Sequence, residues 1–577
     1  MTRIAIIHKE KCRPEFCSKE CKRYCPIEKK EQDTCILIEN KASINEDTCI
    51  GCSICQRRCP FEAIEIINLP SVKSEDLVHR FGENGFALYG LPTPKKGKVL
   101  GLLGRNGIGK TTAVKILAGI EKPNLGKNAN DEEIKTFFQG TELLNYIQNK
   151  QKLKIAYKPQ NLSMISQNVK VLDLLKKLGE EEKIKEFSEK LNIFPILNNK
   201  LNKLSGGELQ RVAIIAAFLK QAEIYLIDEP LAYLDIQQRL IVSDFIQEQC
   251  KDKTVIIVEH DLLILDYLTD YLNIFYGTQG GFGAVSNIRF SKNGVNSYLE
   301  GFLKDENVRI RDKELKFDFT KNPQTAGQTI SSWPNFEKEF ESGFKLKINE
   351  GQIKKNHCIG ILGKNGIGKT TFVKCLAGLE KVKINNKEQK LNLNLNLSYK
   401  PQYLFTESQE TVKEIIFKEK MDKRIVQTFN LTSLQQKRLN QLSGGELQRL
   451  FLAQCLSKDA DIYLIDEPSA YLDVEERINV AKSIKDLMIE KEKTAFIIDH
   501  DLLLISYLAD SIINFDGESG VYGECSQLKS FKEGITDLLK SLDITLRKDI
   551  ETKRPRINKK DSFLDREQKQ KKEWAIF

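Results

Sequence analysis

The sequence predicts an α/β protein in three parts, a small cysteine-rich leader followed by two copies of one larger domain. Three observations predict it. At 577 residues the chain is too long for one hydrophobic core, since domains run to about 100–200 residues. Nine of the 14 cysteines fall before residue 60. Three segments, at 104–111, 204–211 and 224–230, return almost letter for letter at 363–370, 442–449 and 462–468, and an internal repeat of that kind marks a duplicated unit.

The cysteines come first along the chain. Cys49-x2-Cys52-x2-Cys55-x3-Cys59-Pro60 has the spacing of a bacterial ferredoxin, in which three thiolates hold one 4Fe-4S cluster and the fourth reaches to a second. Cys12, Cys17, Cys21 and Cys25-Pro26 supply the second set in looser spacing. By that cross-over, Cys25 joins Cys49, Cys52 and Cys55, while Cys59 joins Cys12, Cys17 and Cys21; Cys35 is left over. A pair of zinc sites is the alternative, but zinc knuckles rarely place two-residue spacings in succession before Cys-Pro. Disulfides are excluded by the reducing compartment expected below. The scattered Cys250, Cys358, Cys375, Cys455 and Cys525 read as small buried thiols.

Each repeat carries nucleotide chemistry. Gly104-Arg-Asn106-Gly107-Ile-Gly109-Lys110-Thr111-Thr112 and Gly363-Lys-Asn365-Gly366-Ile-Gly368-Lys369-Thr370-Thr371 follow apolar strands and open helical patterns, the context a P-loop requires. The glycines let backbone N–H groups wrap phosphates, the lysines reach the β/γ oxygens, and Thr111 and Thr370 hold Mg2+. Leu-Ser205-Gly-Gly207-Glu-Leu-Gln-Arg recurs around Ser443 and Gly445. The same 23 residues separate Ser205 from Asp228 and Ser443 from Asp466, each at the end of an apolar strand. There Asp228 and Asp466 suit the Mg2+ shell, and Glu229 and Glu467 the attacking water. A third repeated strand ends in His260 and His500, candidate γ-phosphate sensors, and Tyr-Lys-Pro-Gln segments bring Gln160 and Gln402 as candidate Mg2+ and water ligands. Phe86 and Phe344, with Phe81 and Trp333 further back, are candidates to stack on adenine.

These residues resemble the ABC ATPase superfamily over most of 75–540. The resemblance implies two ABC-type P-loop ATPase cassettes packed head to tail, with Lys110 facing Ser443, Lys369 facing Ser205, and the Tyr-Leu-Asp segments at 233–235 and 471–473 coupling the two sites. The divisions expected are an iron-sulfur domain of ferredoxin-like type at 1–74, a first cassette at 75–303, a hinge at 304–325, a second cassette at 326–543, and a C-terminal hinge and basic tail at 544–577. The first cassette carries extra residues near 128–150, which read as two short amphipathic helices about Gln139-Gly-Thr, a docking surface or a neutral insertion.

Composition agrees with a globular protein, at 41% hydrophobic and 29% charged residues, with no apolar run of the ~18 residues a membrane helix needs. The N-terminus has neither a secretory h-region nor a transit-peptide pattern, so a cytosolic protein is expected. Net charge is +9. Basic residues crowd the tail (Arg547, Lys548, Lys553, Arg554, Arg556, Lys559 and Lys560), a patch that suits RNA or simply solvent.

Taken together, a cluster leader, twin cassettes, LSGGELQR twice and a tail reading Arg-Pro-Arg-Ile-Asn-Lys resemble the ABC class E proteins, also called RNase L inhibitors or ribosome-recycling ATPases. The resemblance implies ATP, Mg2+ and two 4Fe-4S clusters as cofactors. It also implies splitting of ribosomes after termination or stalling, with a link to translation initiation. As partners it implies the ribosome, especially the small subunit and its rRNA, a release-factor-like protein and initiation factors, with a monomer off the membrane. Two departures stand out: Phe81 where the family commonly has Tyr, and Asp499 where Glu is more usual before the second histidine.

Overall fold

The computed structural model describes residues 2–30, 34–46, 48–69, 76–150, 152–162, 168–315, 327–402 and 408–576. Part of the expected hinge and the exit from the leader, from Pro70 on, lie outside them.

Strings such as Ile-Tyr-Leu-Ile-Asp and Thr-Val-Ile-Ile-Val are apolar on both strand faces, the mark of a parallel sheet covered on both sides. They form it. In the first cassette Ile155–Lys158, Ile224–Asp228, Thr254–Val258, Val99–Leu103 and Tyr271–Thr278 lie side by side, all parallel. Leu397–Lys400, Ile462–Asp466, Thr494–Ile498, His357–Leu362 and Ser511–Glu518 repeat that order in the second. Antiparallel strands then extend each sheet, and helices cover its faces. Every P-loop, Asp-Glu pair and histidine therefore emerges at the carboxyl end of a strand, on one rim of the sheet, where open α/β sheets bind ligands.

The insertion forms the expected helix pair, Asp131–Phe137 and Leu143–Asn149. Asn130 and Glu133 close a capping box at its start, while Ile134, Phe138, Leu143 and Tyr146 are buried in the cassette core. The second cassette has at this place a hairpin of Lys381–Ile384 and Lys387–Lys390, whose short, lysine-rich alternation hid it in the sequence.

In the leader, Thr2–Ile7 pairs antiparallel with Ile64–Leu69, so the two ends of the domain meet. A hairpin, Ile36–Ile38 with Ala42–Ile44, lies beside the first strand, and the short helices Glu20–Arg23 and Ile54–Arg58 each follow the start of one cysteine set. The leader is fastened to the first cassette by a fork-to-fork ion pair, Arg80 donating to both oxygens of Glu46 at 2.8 and 2.6 Å. Asn84 adds a two-way bond with Ile44, at 2.7 and 2.9 Å. Ile6 and Ile67 pack on Tyr89 and Phe282 beside it.

Two arginines of the basic tail turn inward, while Lys553, Lys559 and Lys560 stay exposed. Arg554 is 1% exposed and donates to Asp266 of the first cassette at 2.9 Å, and Arg556 grips the same carboxylate at 2.6 and 3.1 Å. These cations are spent inside the protein, binding the C-terminal hairpin Leu546–Lys548/Pro555–Ile557 to helix Leu262–Leu268. The first connector does the same from the other side: Arg311 donates to Glu475 at 2.7 Å, and Arg105 of the first P-loop shares that carboxylate. The five scattered cysteines are buried, as expected.

Replacing Asp266 by Ala removes the carboxylate that two guanidinium groups share, one of them fully enclosed, and should cost about 3–5 kcal/mol. Chemical denaturation measures the total, and hydrogen exchange should show the loss concentrated at 546–576.

Candidate ATPase sites and cysteine cages

Two candidate constellations form, one at each sheet rim. Gly109 and Gly368 take φ of +91° and +100° at the N-termini of helices Lys110–Ala118 and Lys369–Leu376, a left-handed turn that glycine makes without strain. Lys110 Nζ donates back to Gly104 O and Arg105 O at 2.7 and 2.6 Å, and Lys369 does likewise to Gly363 O and Lys364 O. Thr111 Oγ1 donates to Asp228 Oδ2 at 2.8 Å and Thr370 Oγ1 to Asp466 Oδ2 at 2.7 Å, while Oδ1 of both aspartates is buried without a hydrogen bond. A threonine hydroxyl beside a carboxylate with one free buried oxygen fits Mg2+. Gln160 and Gln402 donate to Glu229 and Glu467 at 2.7 Å each. His260 and His500 stand 3.4 and 3.7 Å from the same carboxylates. Thr112 and Thr371 follow in the first helical turns.

Burial governs the charges. It pulls Lys110 and Lys369 down to about 8 and lifts Asp228 to about 6. It also keeps both histidines neutral, aided by the neighbouring P-loop lysine. At Glu229 the bonds from His260 and Gln160 overcome burial and hold the carboxyl at about 2; at Glu467, with its histidine further off, burial prevails and lifts it to about 7.

Sequence reading missed what holds the two glutamates. Glu229 and Glu467 have φ of +46° and +48°, a strained backbone for a side chain of that size. Lys158, 2% exposed, donates to Asp228 O and Glu229 O at 2.7 and 3.0 Å, and Lys400 repeats this at 2.7 and 3.2 Å. Gln210 and Gln448, from the Leu-Ser-Gly-Gly segments, donate to the carbonyls of Glu229 and Glu467. The signal was present: the Lys of Tyr-Lys-Pro-Gln repeats inside an apolar strand.

Of the aromatic candidates, Phe86 and Phe344 lie against Gly109 and Gly368. Phe81, 45% exposed, sits 6.4 Å from Phe86. Trp333 is a correction. It is 2% exposed, packed on Phe372 and Phe496, and bonded to Asn349 O, so it belongs to the core. The partner of Phe344 is Phe340, 5.9 Å away, whose N–H donates to Phe344 O as that of Phe81 does to Phe86 O. The shorter side chain of Asp499 is made good by Ser469, whose N–H and hydroxyl both donate to it, where Glu259 accepts from Leu231 N–H alone among residues of that loop.

Across the interface the direct bonds are made by the P-loop asparagines. Asn106 N–H donates to Asp473 Oδ2 at 3.0 Å and Asn365 N–H to Asp235 Oδ2 at 2.8 Å, so each P-loop meets the opposite Tyr-Leu-Asp segment. Ser205 and Ser443 instead cap their own helices in boxes with Glu208 and Glu446. Gly207 and Gly445 rest on the carbonyls of Tyr233 and Tyr471.

In the leader, a cavity is lined by Cys25, Cys49, Cys52, Cys55 and also Cys35. Cys21 has Cys59, Cys17 and Cys12 for neighbours; burial first, with these thiols, pushes it up to about 11 against a backbone hydrogen bond at Lys22. Backbone N–H groups of Ala42, Gly51 and Ala63 point at the sulfurs of Cys12, Cys49 and Cys59 at 3.4–3.5 Å, as amides do around iron-sulfur clusters. Among the described residues, no three His, Cys, Asp or Glu side chains close on a point fit for a single ion.

The description "ABC transporter" matches residues 93–232 and 346–470, "Possible Fer4-like domain in RNase L inhibitor, RLI" matches 2–32, and "4Fe-4S binding domain" matches 42–65. An Arabidopsis thaliana relative called ABC transporter E family member 1 is 41% identical over 99% of this chain and 98% of its own. The chain belongs to the ABC E family, the RNase L inhibitors. Translation initiation factor RLI1 of Saccharomyces cerevisiae is 40% identical over 98% of this chain and 97% of its own. A solved structure described as ribosome-bound archaeal Pelota and ABCE1 superposes with a TM-score of 0.93 at 43% identity, covering 100% of this chain and 99% of that one. The protein is thus an ABC ATPase with 4Fe-4S domains. No helix among the described residues is long and apolar enough to cross a membrane.

ATP phosphates favour the charged ammonium of Lys110 and Lys369, which are half neutral near pH 8 before nucleotide arrives. ATP binding should therefore take up protons at pH 8–9 and weaken as pH rises further. The dependence of binding heat on buffer ionisation enthalpy at pH 7 and pH 9 measures this.

Proposed function

We propose that this ABC E protein is a cytoplasmic ribosome-recycling ATPase that splits ribosomes into subunits after termination or stalling. The observation that carries the reading is the latch between leader and cassette. Arg80 and Asn84, which grip the leader, stand in the same turn as Phe86, which lies against Gly109 of the first P-loop. Nucleotide at that P-loop and the position of the iron-sulfur domain are mechanically one matter. The complex of a structural relative with Pelota on a ribosome supports the ribosome, with its small subunit and rRNA, and a release-factor-like protein as partners. The name of the yeast relative supports contact with initiation factors.

In each site Glu229 or Glu467 polarises water, Gln160 or Gln402 and the neutral His260 or His500 hold its geometry, and the P-loop lysine receives the γ-phosphate. Mg2+ would be held by Thr111, Gln160 and Asp228, and by Thr370, Gln402 and Asp466, and supplies charge neutralisation. Ser205, Ser443 and the glycines beside them complete the opposite site when the cassettes close. Two 4Fe-4S clusters would be held by Cys12, Cys17, Cys21 and Cys59, and by Cys25, Cys49, Cys52 and Cys55, stiffening a domain too small to have a large apolar core. The protein acts as a monomer, since one chain supplies both halves of both sites.

Sucrose-gradient sedimentation tests the function. With ATP and a release-factor-like protein, whole ribosomes should separate into subunits; Glu229→Gln with Glu467→Gln should trap ATP and stay on the small subunit. Intact ribosomes with nothing bound in any nucleotide state would leave an ATP-driven electron donor as the next reading.

Cys59→Ser tests the cross-over. Iron in the anaerobically purified protein should fall by about half, with the loss at the Cys12/Cys17/Cys21 cage and not at the one that contains Cys49, Cys52 and Cys55. Combining it with Cys17→Ser should remove no more, whereas further loss would reassign Cys59.

A further inference from the structure

Two arginines sit where the cassettes meet. Arg239 is near the start of helix Ile236–Gln249, directly after the Tyr-Leu-Asp segment of the first cassette. Its Nε donates to Leu234 O at 2.9 Å, inside that segment, and its Nη1 donates to Asp261 Oδ2 at 2.7 Å. Asp261 is the residue after His260, and its other oxygen caps helix Leu262–Leu268 through Leu263 and Ile264 N–H. The same Nη1 lies 3.5 Å from His500 O across the interface. Arg477 repeats the pattern, donating to Leu472 O at 2.9 Å and Asp501 Oδ2 at 3.0 Å. Asp261 and Asp501 are each 4% exposed and close enough for each other's charge to be felt. Between them runs a cavity lined from both cassettes by His260, Leu262, Val474, Arg477, Asp501 and Leu503.

We propose that Arg239 and Arg477 are positioning residues that carry the nucleotide state of each ATP site to the histidine of the other. The path is short and made of hydrogen bonds. The second P-loop holds Asp235 and Tyr233 through Asn365. Leu234, between those two residues, holds Arg239; Arg239 holds Asp261; and Asp261 fixes the backbone next to His260, which faces Glu229 in the first site. The mirror path runs from Asn106 through Asp473, Leu472, Arg477 and Asp501 to His500. A guanidinium suits this task because it is planar, always charged and donates in fixed directions to several acceptors at once. A shift of the Tyr-Leu-Asp segment on closure is therefore passed to the histidine as a rigid displacement. The direction is specific: Arg239 reports the second site to the first, and Arg477 the first to the second.

The inference rests on the two ATPase sites and not on the ribosome. Turnover at the first site is measured in the full chain with Glu467→Gln, where the second site retains ATP, and with Lys369→Ala, where it binds none. The ratio of the two rates is the response of the first site to the second. Glu229→Gln and Lys110→Ala give the reverse ratio. At least one ratio should differ from unity by about fivefold or more. Arg239→Gln should return the first ratio to unity and spare the reverse, and Arg477→Gln should do the opposite, each with ATP-analogue affinity preserved. Asp261→Asn keeps the helix cap but loses the ion pair; it should act as Arg239→Gln does, and decides the matter if that variant does not fold. Both ratios lost together, both surviving, or both at unity in the parent overturns the proposal. A parent without turnover at either site would instead overturn the ATPase assignment.

Discussion

The bond between a P-loop amide and an aspartate of the opposite cassette is the constraint on which the two sites depend. Asn106 N–H to Asp473 and Asn365 N–H to Asp235 are made by backbone groups whose position the P-loop turn already fixes. Each aspartate is fixed in turn, because its other oxygen caps the next helix. A flexible side chain at either end would let the cassettes slide. With both ends held, each P-loop has a defined place against the opposite Tyr-Leu-Asp segment. The arginines that follow on these helices then inherit a defined place between the two histidines.

Symmetry ends where attachments begin. The leader, the helical insertion, the first connector and the C-terminal hairpin all rest on the first cassette or cross to it. Asp266 and Glu475 are the acceptors that gather these segments. The two catalytic rims thus have the same chemistry in unlike mechanical settings. Glu475 joins the connector's Arg311 to Arg105 of the first P-loop, and the second P-loop has Lys364 at the position of Arg105. Lysine cannot make the same planar fork, so the tie from connector to P-loop through Glu475 belongs to the first P-loop.

What the sequence disclosed and what it withheld follow from the range of the forces involved. Strand runs, P-loop glycines and the cysteine spacings are local patterns, legible without knowledge of the fold. Gln160, His260 and their repeats were legible because duplication marked them twice. Trp333 misled because distance along the chain does not say on which side of a strand an aromatic falls. Phe340 occupies the role because its hydrogen bond to Phe344 closes the same turn that Phe81 closes with Phe86. The tail arginines misled for a different reason. A run of cations looks solvated until an acceptor is found, and Asp266 lies almost 300 residues earlier in sequence, in a helix that is otherwise wholly apolar. Lys158 and Lys400 were hidden by the rule that lysine is seldom buried; they are buried because carbonyls of a strained turn need donors that only a long side chain can deliver.

The latch on the leader shows why a cluster domain suits this position. A domain of about 70 residues buries too little apolar surface to be stiff by packing alone, yet force applied at one end must arrive undiminished at the other. Metal–thiolate bonds gathered at the centre of the leader would supply stiffness that a small core cannot. The attachment is equally selective: Glu46 accepts from Arg80 and also from Ala5 N–H at 2.7 Å, and Asn84 accepts from and donates to Ile44. One carboxylate and one amide therefore bind strand Thr2–Ile7 and strand Ala42–Ile44 to a single turn of the cassette. The same turn carries Phe86, which lies against Gly109 of the first P-loop.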